Sequence, residues 1–207
     1  GRHKKQSGGS GQFGDVWIRF EPQDESDDMI FEEEVFGGSV PKNFFPSVEK
    51  GLRNAVQKGV LAGYPLVGLK AVLYDGSYHP VDSSEMAFKT AANLAYKAGI
   101  PQASPVLLEP IASLKAYVPN DNTGDIMGDI NRRRGQIQGM ETKGNLCHIK
   151  AFIPLETMFG YATDIRSLSS GRASYSMEPS HFEQVPNNVL KQVQEGAARK
   201  VGGQHQV

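Results

Sequence analysis

At 207 residues, with 39% hydrophobic and 22% charged side chains, the chain is long enough for one large domain or two ordinary ones and has the balance of a globular protein. Its 22 basic and 23 acidic residues leave a net charge of −1, which excludes a global pull toward nucleic acid or membrane and leaves such binding to local clusters. One cysteine, Cys147, excludes an internal disulfide, no apolar run is long enough to span a bilayer, and the basic start GRHKK leads into no apolar signal segment, so the sequence reads as cytosolic.

In chain order, DVWIRFE (15–21) alternates Val16, Ile18 and Phe20 against Trp17, Arg19 and Glu21, which predicts a strand with two unlike faces. MIFEEEV (29–35) is a weaker strand signal. It overlaps residues 21–34, which hold eight acids and no base and read as a solvated face. PKNFFPSVEKGLRNAVQKG (41–59) predicts a helix with Pro46 near its first turn, Val48, Leu52, Ala55 and Val56 at helical spacing, and Gly59 past its end. PLVGLKAVLY (65–74) is β-branched and apolar enough for a buried strand. Beyond the corner DGSYHPVDSSE (75–85), Asp82 is placed to cap a helix, with Glu85 reaching back. Phe88, Ala91, Ala92 and Ala95 form the apolar stripe of that helix, up to Gly99.

IPQASP (100–105) marks a domain boundary. LLEPIASLKAYV (107–118) alternates as a strand. NTGDIMGDINRRRG (122–135) predicts a helix with Ile126, Met127 and Ile130 inward and Gly135 closing it. QIQGMETKGNLCHIKAFIP (136–154) reads as two strands around a Lys-Gly-Asn turn, ETMFGYATDIRSLSSG (156–171) as a helix, and RASYSME (172–178) as a last strand. The order β-α-β-β-α-β is the ferredoxin-like arrangement. VPNNVLKQVQEGAARKV (185–201) predicts a final helix, and Met127, Met140 and Met158 read as core.

GSGQFGDV (9–16) fits G-x-G-x-x-G through Gly9, Gly11 and Gly14, and with Val16 the kinase form of the loop. A dinucleotide loop needs a strand before it and a helix after it, whereas here HKKQS precedes and a strand follows. A kinase needs His-Arg-Asp and Asp-Phe-Gly, and neither occurs; the phosphate-loop pattern is absent as well. Two readings stay open: a flexible hairpin, or a nest of open backbone amides beside Lys4, Lys5 and Gln6 that holds an RNA backbone. The five histidines are scattered and a single cysteine makes no thiolate site, so no metal is expected. Ser169, Ser170 and Cys147 lack a triad context, and no catalytic residue is expected. For Tyr78-His79-Pro80 there remains recognition: two rings able to stack on bases and a Pro that stiffens the tip. The basic groups Arg2, His3, Lys4 and Lys5, and the run Arg132, Arg133 and Arg134, are candidate phosphate contacts.

SGGSGQFGDV (7–16), AGYPLVGLKAVLYDGSYHPVDSSEMAFK (62–89), PVLLEPI (105–111), NTGDIMGDINRRRG (122–135) and PLETMFGYATDIRSLSSGRASYSMEP (154–179) resemble, in order, the C-terminal portion of bacterial elongation factor G. The resemblance implies an α+β chain of two domains. Residues 1–104 are similar to the family's fourth domain, a ribosomal-protein-like βαβ domain with a left-handed crossover, joined by the C-terminal helix 185–201. Residues 105–184 are similar to its ferredoxin-like fifth domain.

By the same resemblance, a tip loop of Gly76, Ser77, Tyr78, His79, Pro80, Val81, Asp82 and Ser83 contacts RNA, together with a glycine loop of Lys5, Gln6, Ser7, Gly8, Gly9, Ser10, Gly11 and Gln12. Arg132, Arg133, Ser169, Ser170 and Arg172 are expected near large-subunit RNA. The implied partners are the ribosome, at the small-subunit decoding region and the large-subunit GTPase-associated RNA, with tRNA and mRNA; no membrane is implied, and the chain is expected to be monomeric. GTP and Mg2+ are expected upstream, in a GTPase domain that this chain lacks, so the chain reads as a fragment of a factor driving GTP-dependent translocation. Two departures favour a paralogue acting in ribosome recycling or protection: Ser10 stands where the family usually has a base, and Pro80 where it usually has an acid. A stand-alone RNA-binding module is the reading from another class.

Overall fold

The computed structural model describes residues 1–202, with side chains as far as residue 197. The chain divides into two compact units, Gly1–Val106 with the chain from Lys191 onward, and Leu107–Leu190.

A hairpin opens the first unit. Strand β1 (Arg2–Lys5) pairs antiparallel with β2 (Gln12–Pro22), Lys5 opposite Gln12. The alternation of Val16, Ile18 and Phe20 carries β2, with Val16 fully buried. The tetrapeptide RHKK has no apolar residue to mark a period, and its strand exists only because β2 offers a ladder. Then come β3 (Ile30–Glu33), α1 (Phe45–Ala55), β4 (Leu69–Ser77) and α2 (Glu85–Gly99). The sheet order is β1-β2-β4-β3, with β3 parallel to β4, a pairing that needs the crossover α1 supplies.

Boundaries differ from the sequence reading for local reasons. The segment 41–59 is not one helix: a 3-10 turn at Lys42–Phe44 precedes α1, and α1 stops at Ala55. Beyond it the chain turns, and the Gly59 amide donates to the Tyr64 carbonyl at 2.7 Å. Strand β4 starts at Leu69 rather than Pro65, but it runs on through Asp75 and Gly76 because β2 continues to pair with it across a bulge at Trp17/Ile18. The cap of α2 is Ser84, not Asp82: its hydroxyl accepts from the Ala87 amide at 3.1 Å. Before it the chain makes one bridge to β2, Phe13 beside Ser83, which delays the helix by two residues.

Both helices cover one face of the sheet. Val48 and Leu52 of α1 and Phe88, Ala91 and Ala92 of α2 are fully buried, and Phe44 stacks on Phe88 with ring centroids 4.6 Å apart. Burying one such side chain is worth about 1.5–3 kcal/mol, so the short alanines matter chiefly in letting α2 approach closely.

The second unit runs β5 (Leu108–Pro119), α3 (Thr123–Arg132), β6 (Gln136–Lys143), β7 (Leu146–Pro154), α4 (Tyr161–Ser169) and β8 (Ser174–Gln184). All neighbours in the order β6-β7-β5-β8 are antiparallel, a ferredoxin-like sheet. Leu114, Ala116 and Val118 alternate with Ile149, Ala151 and Ile153 beneath Ile126, Ile130 and Ile165 of the helices. Helix α3 closes at Arg134 in the left-handed region (φ 62°), one residue before the expected Gly135. The segment 156–171 is a 3-10 turn, Leu155–Met158, and then α4, separated by Phe159 and Gly160. Strand β8 is longer than 172–178, because β5 keeps pairing with it as far as Gln184. Met127 and Met158 join the core, but Met140 does not: it lies on edge strand β6 and is 46% exposed. Cys147 is buried.

The last helix is α5 (Asn187–Gly202), whose Gln194 amide donates to the Leu61 carbonyl at 3.4 Å. No helix among the described residues is long and apolar enough to cross a membrane.

Candidate nucleic-acid interface

At one end of the first unit, two loops meet. The β1–β2 hairpin loop runs from Gln6 to Gly11, and the β4–α2 loop from Tyr78 to Ser84. The Phe13 amide donates to the Asp82 carbonyl at 2.9 Å. The Ser83 hydroxyl accepts from the His79 amide at 2.8 Å and donates to the Phe13 carbonyl at 3.0 Å, tying the second loop to itself and to the start of β2 just past the first. A Cβ on Gly11 would overlap the Asp82 carboxylate as it lies here, so glycine leaves room for that carboxylate against the hairpin.

His79 is locked from one side. The amides of Val81 and Asp82 donate to its Nδ1 at 3.2 and 3.0 Å. A nitrogen accepting two N–H groups carries no proton, so the neutral ring holds its proton on Nε2, which has no partner among the described residues. Asp82 lies 3.5 Å from Nδ1 but faces a lone pair there; its Oδ2 accepts from Gln6 Nε2 at 3.4 Å instead. The carboxylate is therefore used between the loops and not for capping α2.

Around the ring the surface is open. Tyr78 is 48% and Val81 82% exposed, and Pro80 is exposed beside them. Residues 7–10 are exposed, carry no charge, and none of their amides is bonded among the described residues; Gly8 and Gly9 have φ of 77° and 140°. The amides are therefore available to an anion, with Lys4 and Lys5 exposed alongside and Arg2 over the Phe13 ring at 5.9 Å. The tip thus offers an imidazole N–H, open backbone amides, a phenol ring and two ammonium groups.

The candidates of the second unit divide. Arg133 is only 8% exposed. Its guanidinium meets Asp129 Oδ2 at 3.1 Å, Asp164 Oδ2 at 2.5 Å and the carbonyls of Thr157 and Phe159 at 2.5 and 3.1 Å, and it lies 5.1 Å from the centre of the Tyr161 ring. Arg134 makes a two-pronged pair with Glu109 at 2.9 Å for both bonds. Arg133 is spent inside the fold and Arg134 is half-buried in its pair with Glu109, whereas Arg132 is mostly exposed, paired at its edge with Asp129. Ser169 is fully buried, its hydroxyl donating to the Ile165 carbonyl at 2.7 Å and accepting from the Ala173 amide at 3.0 Å. Ser170 and Arg172 are exposed, with Arg172 donating to Asn122 Oδ1 at 3.0 Å. Burial lifts the Tyr161 phenol to about 12, helped by Asp129 and opposed by Arg133. Among the described residues no cluster of His, Cys, Asp and Glu could hold a metal ion.

Comparison with known proteins follows the same division. Residues 1–104 match the family model described as elongation factor G, domain IV, and residues 106–193 match that described as elongation factor G C-terminus. The chain belongs to the elongation factor G family. It is also similar to a crystal structure of a protein from Thermus thermophilus, at 43% identity and a TM-score of 0.79, over 96% of this chain and 30% of that one. The chain thus spans less than a third of the length of that relative.

Sequence reasoning missed Phe13, whose amide and carbonyl both bond to the β4–α2 loop and whose ring lies 6.4 Å from that of His79. No signal marked it, because its contribution is backbone. It also missed Glu109, the buried partner that takes both prongs of the half-buried Arg134; a lone acid in an otherwise apolar strand pattern was the available sign.

Proposed function

We propose that this chain is the ribosome-engaging part of a translational GTPase, and that its domain IV tip follows tRNA and mRNA during GTP-dependent translocation. What supports the reading most directly is the tip itself. Two loops are bonded through Ser83, Phe13 and Asp82 into one rigid edge, which presents His79 Nε2–H, Tyr78 and free amides in a chain both of whose domains are of the elongation factor G type. In this reading Lys5 to Gln12 and Gly76 to Ser83 contact RNA, Ser170, Arg172 and Arg132 face large-subunit RNA, and GTP with Mg2+ is held by a GTPase domain in the longer protein. The factor acts in the cytoplasm as a monomer.

The test is translocation by the full-length protein, wild type against His79→Ala, with mRNA movement and GTP hydrolysis followed in the same samples. Movement slowed by about tenfold or more, a barrier increase on the order of 1.4 kcal/mol, with hydrolysis unchanged, supports the tip reading. Equal movement by both proteins overturns it. Pro80 and Ser10, both exposed, are the observations behind a second reading, a paralogue in recycling or ribosome protection. Wild-type hydrolysis on ribosomes without movement would favour that one.

A further inference from the structure

The helices of the second unit cover one face of its sheet; the other face carries a pattern that folding alone does not explain. On the central strands β5 and β7, Lys115 and Lys150 are direct cross-strand partners. Both are exposed, and neither has a carboxylate in ion-pairing range among the described residues. Like charges placed opposite each other on one sheet face destabilise it.

On either side of this cationic row lies an aromatic pair. Tyr117 and His148, the next outward partners, meet edge to face with centroids 4.7 Å apart. Phe152, two residues the other way, meets His181 of β8 edge to face at 5.0 Å. All four residues are half-buried. Two residues along a strand is roughly 7 Å, so each ring pair stands about that far from the lysines. The acids near these rings sit on the outer strands: Glu141 on β6, which is taken up by Lys143 at 3.6 Å, Glu178 on β8, and Glu183 on β8, which holds His181 Nε2 at 2.7 Å in the plane of its ring and leaves the ring face to stack.

We propose that this sheet face binds single-stranded or looped RNA, with a phosphate over Lys115 and Lys150 and bases on the rings of Tyr117–His148 and Phe152–His181. A phosphate between the two ammonium groups converts their repulsion into two attractions, and flat rings at both ends match unstacked bases without selecting a sequence. A protein partner is disfavoured, since it would have to bring a carboxylate between two flanking aromatic rows at this spacing. The proposal is independent of the tip: it uses a different face, in the other unit.

The experiment titrates the whole chain into a fluorescein-labelled uridine octamer and follows anisotropy over a range of salt. The double variant Lys115→Gln/Lys150→Gln is expected to bind about tenfold or more weakly and to lose about 1.4 from the slope of log affinity against log salt, as for two lost single-strand phosphate contacts. Tyr117→Leu is expected to weaken binding several-fold and leave that slope in place. Because the lysine pair is repulsive, Lys115→Gln should leave the melting temperature unchanged or raised, which separates lost binding from lost folding. Lys4→Gln/Lys5→Gln in the glycine loop serves as the control: a loss confined to that variant overturns the sheet-face proposal and leaves the tip reading in place. Failure of the wild-type chain to bind the octamer also overturns the proposal, and a protein surface then becomes the better account of the face.

Discussion

The tip of the first unit and the arginine run of the second unit are alike as sequence, each a short polar stretch rich in groups that suit phosphate. The fold uses them in opposite ways. At the tip, backbone amides and one serine hydroxyl do the holding, which leaves His79 Nε2, Tyr78 and the glycine-loop amides free among the described residues. At the run, Arg133 and Arg134 do the holding, bonded to Asp129, Asp164, Glu109 and two carbonyls, so that Arg133 has little left for a ligand and Arg134 has its fork already occupied. Polar residues are open to partners where the main chain carries the architecture, and closed where their own side chains carry it.

The largest break in that comparison should come from Arg133→Met. Removing it leaves Asp129 with Arg132 alone and takes the donor from two part-buried carbonyls, and a loss of about 3 kcal/mol in the urea transition of the second unit is expected. A loss below about 1 kcal/mol would mean that the buried network does not hold the fold.

Next in effect is the pH dependence of the same network. Tyr161, whose hydroxyl has no partner among the described residues, titrates at about 12 rather than near 10, chiefly through burial. The neutral phenol is thus favoured by folding, so its stabilisation is complete below the ordinary tyrosine value and is lost as pH rises through about 12. Absorbance titration of wild type against Tyr161→Phe should show one late-ionising phenol missing in the variant. If the difference spectrum appears near pH 10 instead, the site is wetter than the structure indicates.

Ser84→Ala should cost about 1 kcal/mol through loss of the helix cap, whereas Asp82→Ala should not unwind the start of α2. Helix content and thermal melting distinguish the two. Ser83→Ala should cost on the order of 1 kcal/mol and, more tellingly, loosen the joint between the loops, with faster amide exchange at His79. The smallest effect belongs to Arg132→Gln, well under about 1 kcal/mol, since its side chain is mostly exposed and Asp129 keeps Arg133.

Much of the architecture was legible in the residues. Alternation along β2, β5 and β7 and the alanine stripe of α2 set which faces are buried, because periods of 2 and 3.6 are properties of the chain itself. The β-α-β-β-α-β order of the second unit follows from the same periods. What escaped was whatever depends on a partner distant in sequence. Strand β1 has no period of its own, β4 and β8 are lengthened by their neighbours, and Ser84 became the cap because Phe13 pairs with Ser83 first. The arginine run shows the limit most clearly. Composition announced three cations in a row, but Glu109 and Asp164, 25 and 31 residues from their partners in sequence, determined that two of them are engaged within the fold. Local sequence determined which segments fold and which faces they bury; tertiary structure alone decided which polar groups stay free, since a hydrogen bond is satisfied by whatever the fold brings within reach.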